Sequence, residues 1–186
     1  MSAAVGRTAS ILILLGSARS DGDTAEAAQQ LRDHLAPGPA TLVDLGSKTI
    51  LPFDYKAERR HDDLDEVADL MIAHRSLVFA TPVYWYAMSG VMKTFFDRFS
   101  DLLSGRDPLR RGRALAGRDV WLLAAGTDPA LPEGFEVPFA RTAHYLGMNW
   151  RGGFYVRTGN HPDRRQLYML SHALQAPTAS AGAEKG

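Results

Sequence analysis

Residues 11–31, ILILLGSARSDGDTAEAAQQL, pass from an unbroken aliphatic run through a loop of glycine, hydroxyl and charged residues into an alanine-rich segment. A short run that is apolar at every position is the pattern of a strand covered on both faces, which is the situation of strands in a parallel sheet. The segment 24–35 reads as a helix, closed by Pro37 and Gly38. The stretch is thus strand, loop, helix, and the remaining chain repeats the pattern.

Further apolar runs at 40–45, 77–80, 120–125 and 153–156 read as strands. Between them, Leu64, Val67, Ala68, Met71 and Ile72 fall on one helical face. That helix opens with Asp62, Asp63, Asp65 and Glu66 and ends with His74 and Arg75, charges that suit its dipole. Val91, Met92, Phe95, Phe96, Phe99, Leu102 and Leu103 form one long helical stripe, and 135–146 and 162–174 read as further helices. Strands alternating with helices imply an α/β fold, a doubly wound parallel sheet with helices on both faces. Ligands of such sheets bind outside the carboxyl ends of the strands.

The chain has 186 residues, with 45% hydrophobic and 23% charged, a globular composition sufficient for one core. Lys plus Arg and Asp plus Glu number 21 each, so no net field draws in nucleic acid or an anionic membrane. Cysteine is absent, which excludes disulfides, thiolate catalysis and cysteine-ligated metal or iron–sulfur centres. The apolar run 11–15 is too short for a signal peptide or a membrane span, so a soluble cytoplasmic protein is expected. Residues 1–9 and 176–186 are small and polar and read as a flexible N-terminus and a flexible tail around a single domain over 10–175.

Three polar loops follow strands. In Gly16-Ser17-Ala18-Arg19-Ser20-Asp21-Gly22-Asp23-Thr24, free N–H groups at the helix start, three hydroxyls and Arg19 suit a phosphate. The same loop reads equally as a plain turn capped by Asp23 or Ser20. In Thr81-Pro82-Val83-Tyr84-Trp85-Tyr86-Ala87-Met88-Ser89-Gly90, adjacent aromatics fit neither strand nor helix periodicity. They offer a stacking surface to a flat ring, or an aromatic cluster closing a subunit interface. Ser89 is placed to cap the next helix. In Ala125-Gly126-Thr127-Asp128-Pro129, Gly126 permits close backbone approach and Thr127 can hydrogen-bond a heteroaromatic edge, although an ordinary turn capped by Asp128 fits as well.

GSARSDGDT resembles the GSxRxxGNT phosphate loop of the NADPH-dependent FMN reductases, and TPVYWYAMSGVMKTFFDRF resembles their TPxYxxxxxGxLKxxxDxx segment. Order and spacing agree from about residue 10 to residue 157. The resemblance implies a flavodoxin-like five-stranded sheet of order 2-1-3-4-5 with non-covalently bound FMN. It implies that Ser17, Arg19 and Thr24 hold the phosphate, that Pro82, Val83, Tyr84, Trp85 and Tyr86 line the isoalloxazine, and that Gly126 and Thr127 approach its polar edge. It also implies a homodimer or homotetramer, with the PVYWY aromatics and the phenylalanine-rich stripe 91–103 at the interface.

Asp23 stands where the family has asparagine. A carboxylate about 5 Å from a phosphate opposes it by a few kcal/mol at an effective dielectric of about 20. Asp23 is therefore expected to point outward as a helix cap, leaving Arg19 and the helix start for the anion.

The implied activity is an NAD(P)H-dependent oxidoreductase that passes hydride through flavin N5 to a quinone, flavin, azo compound or similar small acceptor. The flavin carries the chemistry, and no catalytic side chain is assigned. The competing reading is a flavodoxin-type electron carrier without NAD(P)H activity. Carriers have a T/S-x-T-G-x-T loop and strong acidity, and this chain has neither. Other motifs carry less. Gly112 and Gly117 have Walker A spacing, but Arg118-Asp119 replaces its Lys and Ser/Thr. His61-Asp62-Asp63 reads as a helix-start charge cluster rather than a metal site, and Arg106, Arg110, Arg111, Arg113 and Arg118 read as a solvated basic loop.

Overall fold

The computed structural model describes residues 10–38, 40–56, 62–104, 107, 109–160 and 162–176. The expected flexible ends lie outside these residues apart from Ala176, as do His61 of the acidic cluster and Arg106 of the basic loop.

Strands β1 (Ile11–Leu15), β2 (Ala40–Asp44), β3 (Ser76–Tyr84), β4 (Ala87–Met88), β5 (Asp119–Gly126) and β6 (Asn149–Arg157) form one sheet. Its order is β2-β1-β3-β5-β6, all parallel, with β4 a short antiparallel addition to β3. Without that hairpin strand, the order is the 2-1-3-4-5 of a flavodoxin-like sheet, as expected. The helices are α1 (Asp23–His34), α2 (Leu64–Ala73), α3 (Gly90–Asp97), α4 (Phe99–Leu103), α5 (Arg111–Ala114), α6 (Val137–Tyr145) and α7 (Arg165–Gln175).

Alternation along the strands divides the core in two. Leu12, Leu14, Leu77, Phe79, Val120 and Leu122 face the side covered by α2, α3, α4 and α6. Ile11, Ile13, Leu15, Val78, Ala80 and Leu123 face α1 and α7. Both faces of the central strands are therefore dry, which is why β1 reads as a continuous apolar run.

Three expectations are corrected. The stripe 91–103 is two helices, broken at Arg98. Its rings are core rather than interface: Phe95 and Phe99 are buried, and Phe96 packs against Phe79 and Phe139 with centroids 5.0 and 5.1 Å apart. The segment 81–84 is not loop but the end of β3, which turns through Trp85 and Tyr86 into β4. The basic loop is not simply solvated, because Arg111 is buried against Asp69 at 2.6 Å and Asp107 at 2.7 Å. Arg118 donates to the carbonyl of Ile72 near the end of α2.

Candidate functional site

The carboxyl ends of β1, β3, β5 and β6 meet in one cleft of about 330 Å³. It is lined by Ser17, Arg19, Gly22, Asp23 and Thr24 from the first loop and by Pro82, Val83 and Tyr84 from β3. Ala125, Gly126, Thr127 and Thr158 complete it. Three loops far apart in sequence are thus brought to one edge.

The first loop is built around small residues. The Gly16 N–H donates to the Ala80 carbonyl at 2.8 Å, and a β-carbon at Gly16 would lie 2.8 Å from that of Met92. Glycine is needed here because α3 packs directly on the loop. Ser89 fastens the two segments together. Its hydroxyl donates to the Gly16 carbonyl at 2.6 Å and accepts from the Met92 N–H at 3.1 Å, so it is the cap of α3 as the sequence suggests. Its own N–H donates to the Thr81 hydroxyl at 3.1 Å.

Helix α1 starts without any side-chain cap. The cap position is Gly22, so neither Asp23 nor Ser20 plays that part, and the outward-cap expectation for Asp23 is corrected. Asp23 is the first helical residue, exposed, at the lip of the cleft. The helix therefore presents unsatisfied N–H groups and the positive end of its dipole to the cleft, an anion site in character. Ser17 and Thr24 are buried beside it, and Ser17 accepts the Arg19 N–H at 3.2 Å. The Arg19 side chain is exposed and pairs with Asp21 at 3.2 Å. That hydrogen bond and charge raise the arginine further above its ordinary value and hold the Asp21 carboxyl below its own.

On the opposite wall, β3 ends in a two-residue turn whose Trp85 and Tyr86 both have positive φ, 49° and 63°. Bulky residues seldom occupy that region, which asparagine and glycine fill in most tight hairpins. Tyr84 lines the cleft, whereas Trp85, 95% exposed, and Tyr86 stand at the tip beyond the lining residues. The aromatic run is thus divided between the wall and its rim.

The wall formed by β5 and β6 contains residues that the sequence reading did not single out. A β-bulge between Val120 and Trp121 leaves Arg151 opposite no partner and reverses the alternation along β6. Trp150 before the bulge and Tyr155 after it thereby pack on the same core face. The Tyr155 hydroxyl donates to the Asp128 carbonyl at 3.0 Å, and the Thr158 N–H donates to the Gly126 carbonyl at 2.8 Å. A β-carbon at Gly126 would sit 2.9 Å from the Tyr155 hydroxyl, so glycine is required there by a neighbouring ring. The one sequence signal for this wall is the Thr158-Gly159 pair that follows the last strand.

The acidic cluster 61–63 has a structural use in its described members. Asp62 is buried on Arg98, 2.5 Å away, and its other oxygen accepts the Leu64 N–H at 3.2 Å.

A sequence model of the NADPH-dependent FMN reductase family matches residues 9–131. YwqN of Bacillus subtilis, named as an NAD(P)H-dependent FMN-containing oxidoreductase, is 30% identical over 91% of this chain and 98% of its own. Among solved structures, the Trp repressor binding protein of Bacillus subtilis superposes with a TM-score of 0.63 at 28% identity, covering 88% of this chain and 94% of that one. An FMN-dependent NADH-azoreductase from Bacillus anthracis superposes with a TM-score of 0.64 over 89% of this chain and 97% of its own; at 8% identity that likeness is one of fold.

Proposed function

The chain belongs to the NADPH-dependent FMN reductase family, and from that premise we propose that its cleft holds FMN and admits pyridine nucleotide and electron acceptor by turns. As a family member it is an NAD(P)H-dependent oxidoreductase with FMN as cofactor. The observation that carries the site assignment is the joining, in one cleft, of an uncapped helix start to a wall of Pro82, Val83 and Tyr84.

The residues fit the cofactor. A phosphate is suited by the free N–H groups of α1, by the buried hydroxyl residues Ser17 and Thr24, and by Arg19 at the lip. A flat ring is suited by the wall of Pro82, Val83 and Tyr84 facing Gly126 and Thr127. Bound FMN supplies hydride and electron transfer between nucleotide and acceptor. The protein's own part is to orient the ring, to neutralise the phosphate and to leave room for a second planar molecule. Trp85 and Tyr86, exposed at the rim, offer apolar surface to that second molecule and to another copy of the chain. We infer a homodimer or homotetramer on this basis. The acceptor class is a quinone, free flavin or azo compound.

No helix among the described residues is long and apolar enough to cross a membrane. A cytoplasmic site of action accords with NAD(P)H as the reductant.

Purified protein reconstituted with FMN should oxidise NADPH or NADH steadily when a quinone, free flavin or azo dye is supplied. Double-reciprocal plots against either substrate should be parallel, because both use one site in turn. Protein that binds FMN but is not reduced by either nucleotide would instead be an electron carrier.

A further inference from the structure

The turn 126–128 is held from below by a residue to which the reaction gives no part. Tyr155 reaches up from β6, donates its hydroxyl to the Asp128 carbonyl at 3.0 Å, and fills the space where a side chain at Gly126 would stand. Thr158 pins the other end of the turn through the Gly126 carbonyl. Fixed in this way, the turn carries two main-chain N–H groups, of Thr127 and Asp128, that donate to no carbonyl among the described residues. Thr127 lines the cleft and Asp128 directly follows it; paired donors held rigidly at such an edge suit the acceptor atoms of a planar heterocycle. The phenol also stays a donor over a wide pH range, since burial first and then the Asp128 charge raise its pKa, against the opposing charge of Arg157.

We propose that Tyr155 is a positioning residue for the bound ring: by holding the 126–128 turn at fixed height, it aims the Thr127 and Asp128 N–H groups at the ring's polar edge and thereby sets flavin affinity and reduction potential. The proposal rests on the FMN reading above. Tyr155 touches the turn rather than the ring, so its effect travels through main-chain atoms.

The test is a titration of the FMN-stripped protein with FMN, followed by the visible spectrum and reduction potential of the bound flavin. Tyr155→Phe should raise the FMN Kd about five- to tenfold, the effect of one hydrogen bond, and should shift the absorption bands and the potential. Gly126→Ala should weaken binding more than Tyr155→Phe, and adding Tyr155→Phe to it should recover part of the loss by removing the oxygen that the new methyl meets. A Tyr155→Phe protein with a lower Tm but unchanged Kd, bands and potential would overturn the proposal and leave the residue a packing element. Wild-type protein that binds no FMN would overturn the reading beneath it, and this one with it.

Discussion

Asp23 sits at the first position of α1 with its carboxylate in solvent and no capping bond to make. An acidic residue in the first turn favours the helix dipole, but here the same dipole is aimed into the cleft. With the phosphate bound as proposed, the carboxylate competes with it for one positive helix end. At a separation of about 6 Å in water-like dielectric, the repulsion is about 0.7 kcal/mol. Asp23→Asn should accordingly tighten FMN binding about threefold in low salt, and the gain should shrink as added salt screens the charge. A tenfold or larger gain would mean that the carboxylate is turned into the cleft and poorly solvated. Asp21, the other aspartate of the loop, is accounted for by Arg19, which it holds at 3.2 Å. The loop's glycine, hydroxyls and arginine suited an anion in the sequence, and an ordinary turn equally well. That neither Asp21 nor Asp23 caps the helix was not legible, because that depends on where the first helical turn closes. It closes on Gly22, one residue before Asp23 and two after Ser20.

At the scale of elements, the β3–β4 hairpin shows a local preference overridden by its setting. Its turn residues have φ of 49° and 63°, yet they are Trp85 and Tyr86 rather than asparagine and glycine. Left-handed backbone costs a side-chain-bearing residue roughly 1–2 kcal/mol, and strain of this kind clusters at functional sites. Replacing the pair, Trp85→Asn with Tyr86→Gly, should relieve about 2 kcal/mol and raise the Tm by about 4–8 °C for a domain of this size. The same change removes the rim aromatics, so KM for the acceptor should rise and the oligomer should weaken in light scattering. A variant that is more stable and fully active would show that the rim has no part in either. The hairpin was not legible beforehand, because hairpin recognition rests on turn residues that it lacks. The aromatic triplet was legible only as an anomaly against both periodicities. The long amphipathic stripe 91–103 concealed a break for a related reason. Its apolar spacing is continuous, and only the burial of Arg98 against acids and carbonyls from other segments marks the change of direction.

For the molecule as a whole, the alternation of apolar runs with helical periods was enough to read the sheet, because each central strand is covered on both sides and is mostly apolar in its middle. Long-range ion pairs were not legible, since charges far apart in sequence leave no pattern of spacing. The chief of these is Arg98, only 2% exposed. It donates to the Leu51 carbonyl at 2.6 Å, to Asp62 at 2.5 Å and to Asp101 at 2.6 Å, and so ties the connection after β2 to the α3–α4 junction. Burial by itself would raise the Asp62 pKa, but the hydrogen bond from Arg98 and those from the Leu51 and Leu64 N–H groups outweigh it, and the carboxyl is held below its ordinary value. A depressed folded-state pKa stabilises the native protein fully above the unfolded value, about 4, and the contribution is lost as pH falls through and below that point. Wild-type Tm should therefore decline steeply on acidification below pH 4, with Asp163, held at about 2 by Arg165, adding to the same limb. Asp62→Asn leaves the buried guanidinium short of one countercharge, a change that costs about 3 kcal/mol when a buried pair is broken. The variant should melt about 6–12 °C lower at pH 7, and its Tm should fall less steeply than the wild type's as pH drops below 4, because the Asp62 contribution lost there is already absent. Parallel acid limbs in the two proteins would place the acid sensitivity in groups other than Asp62.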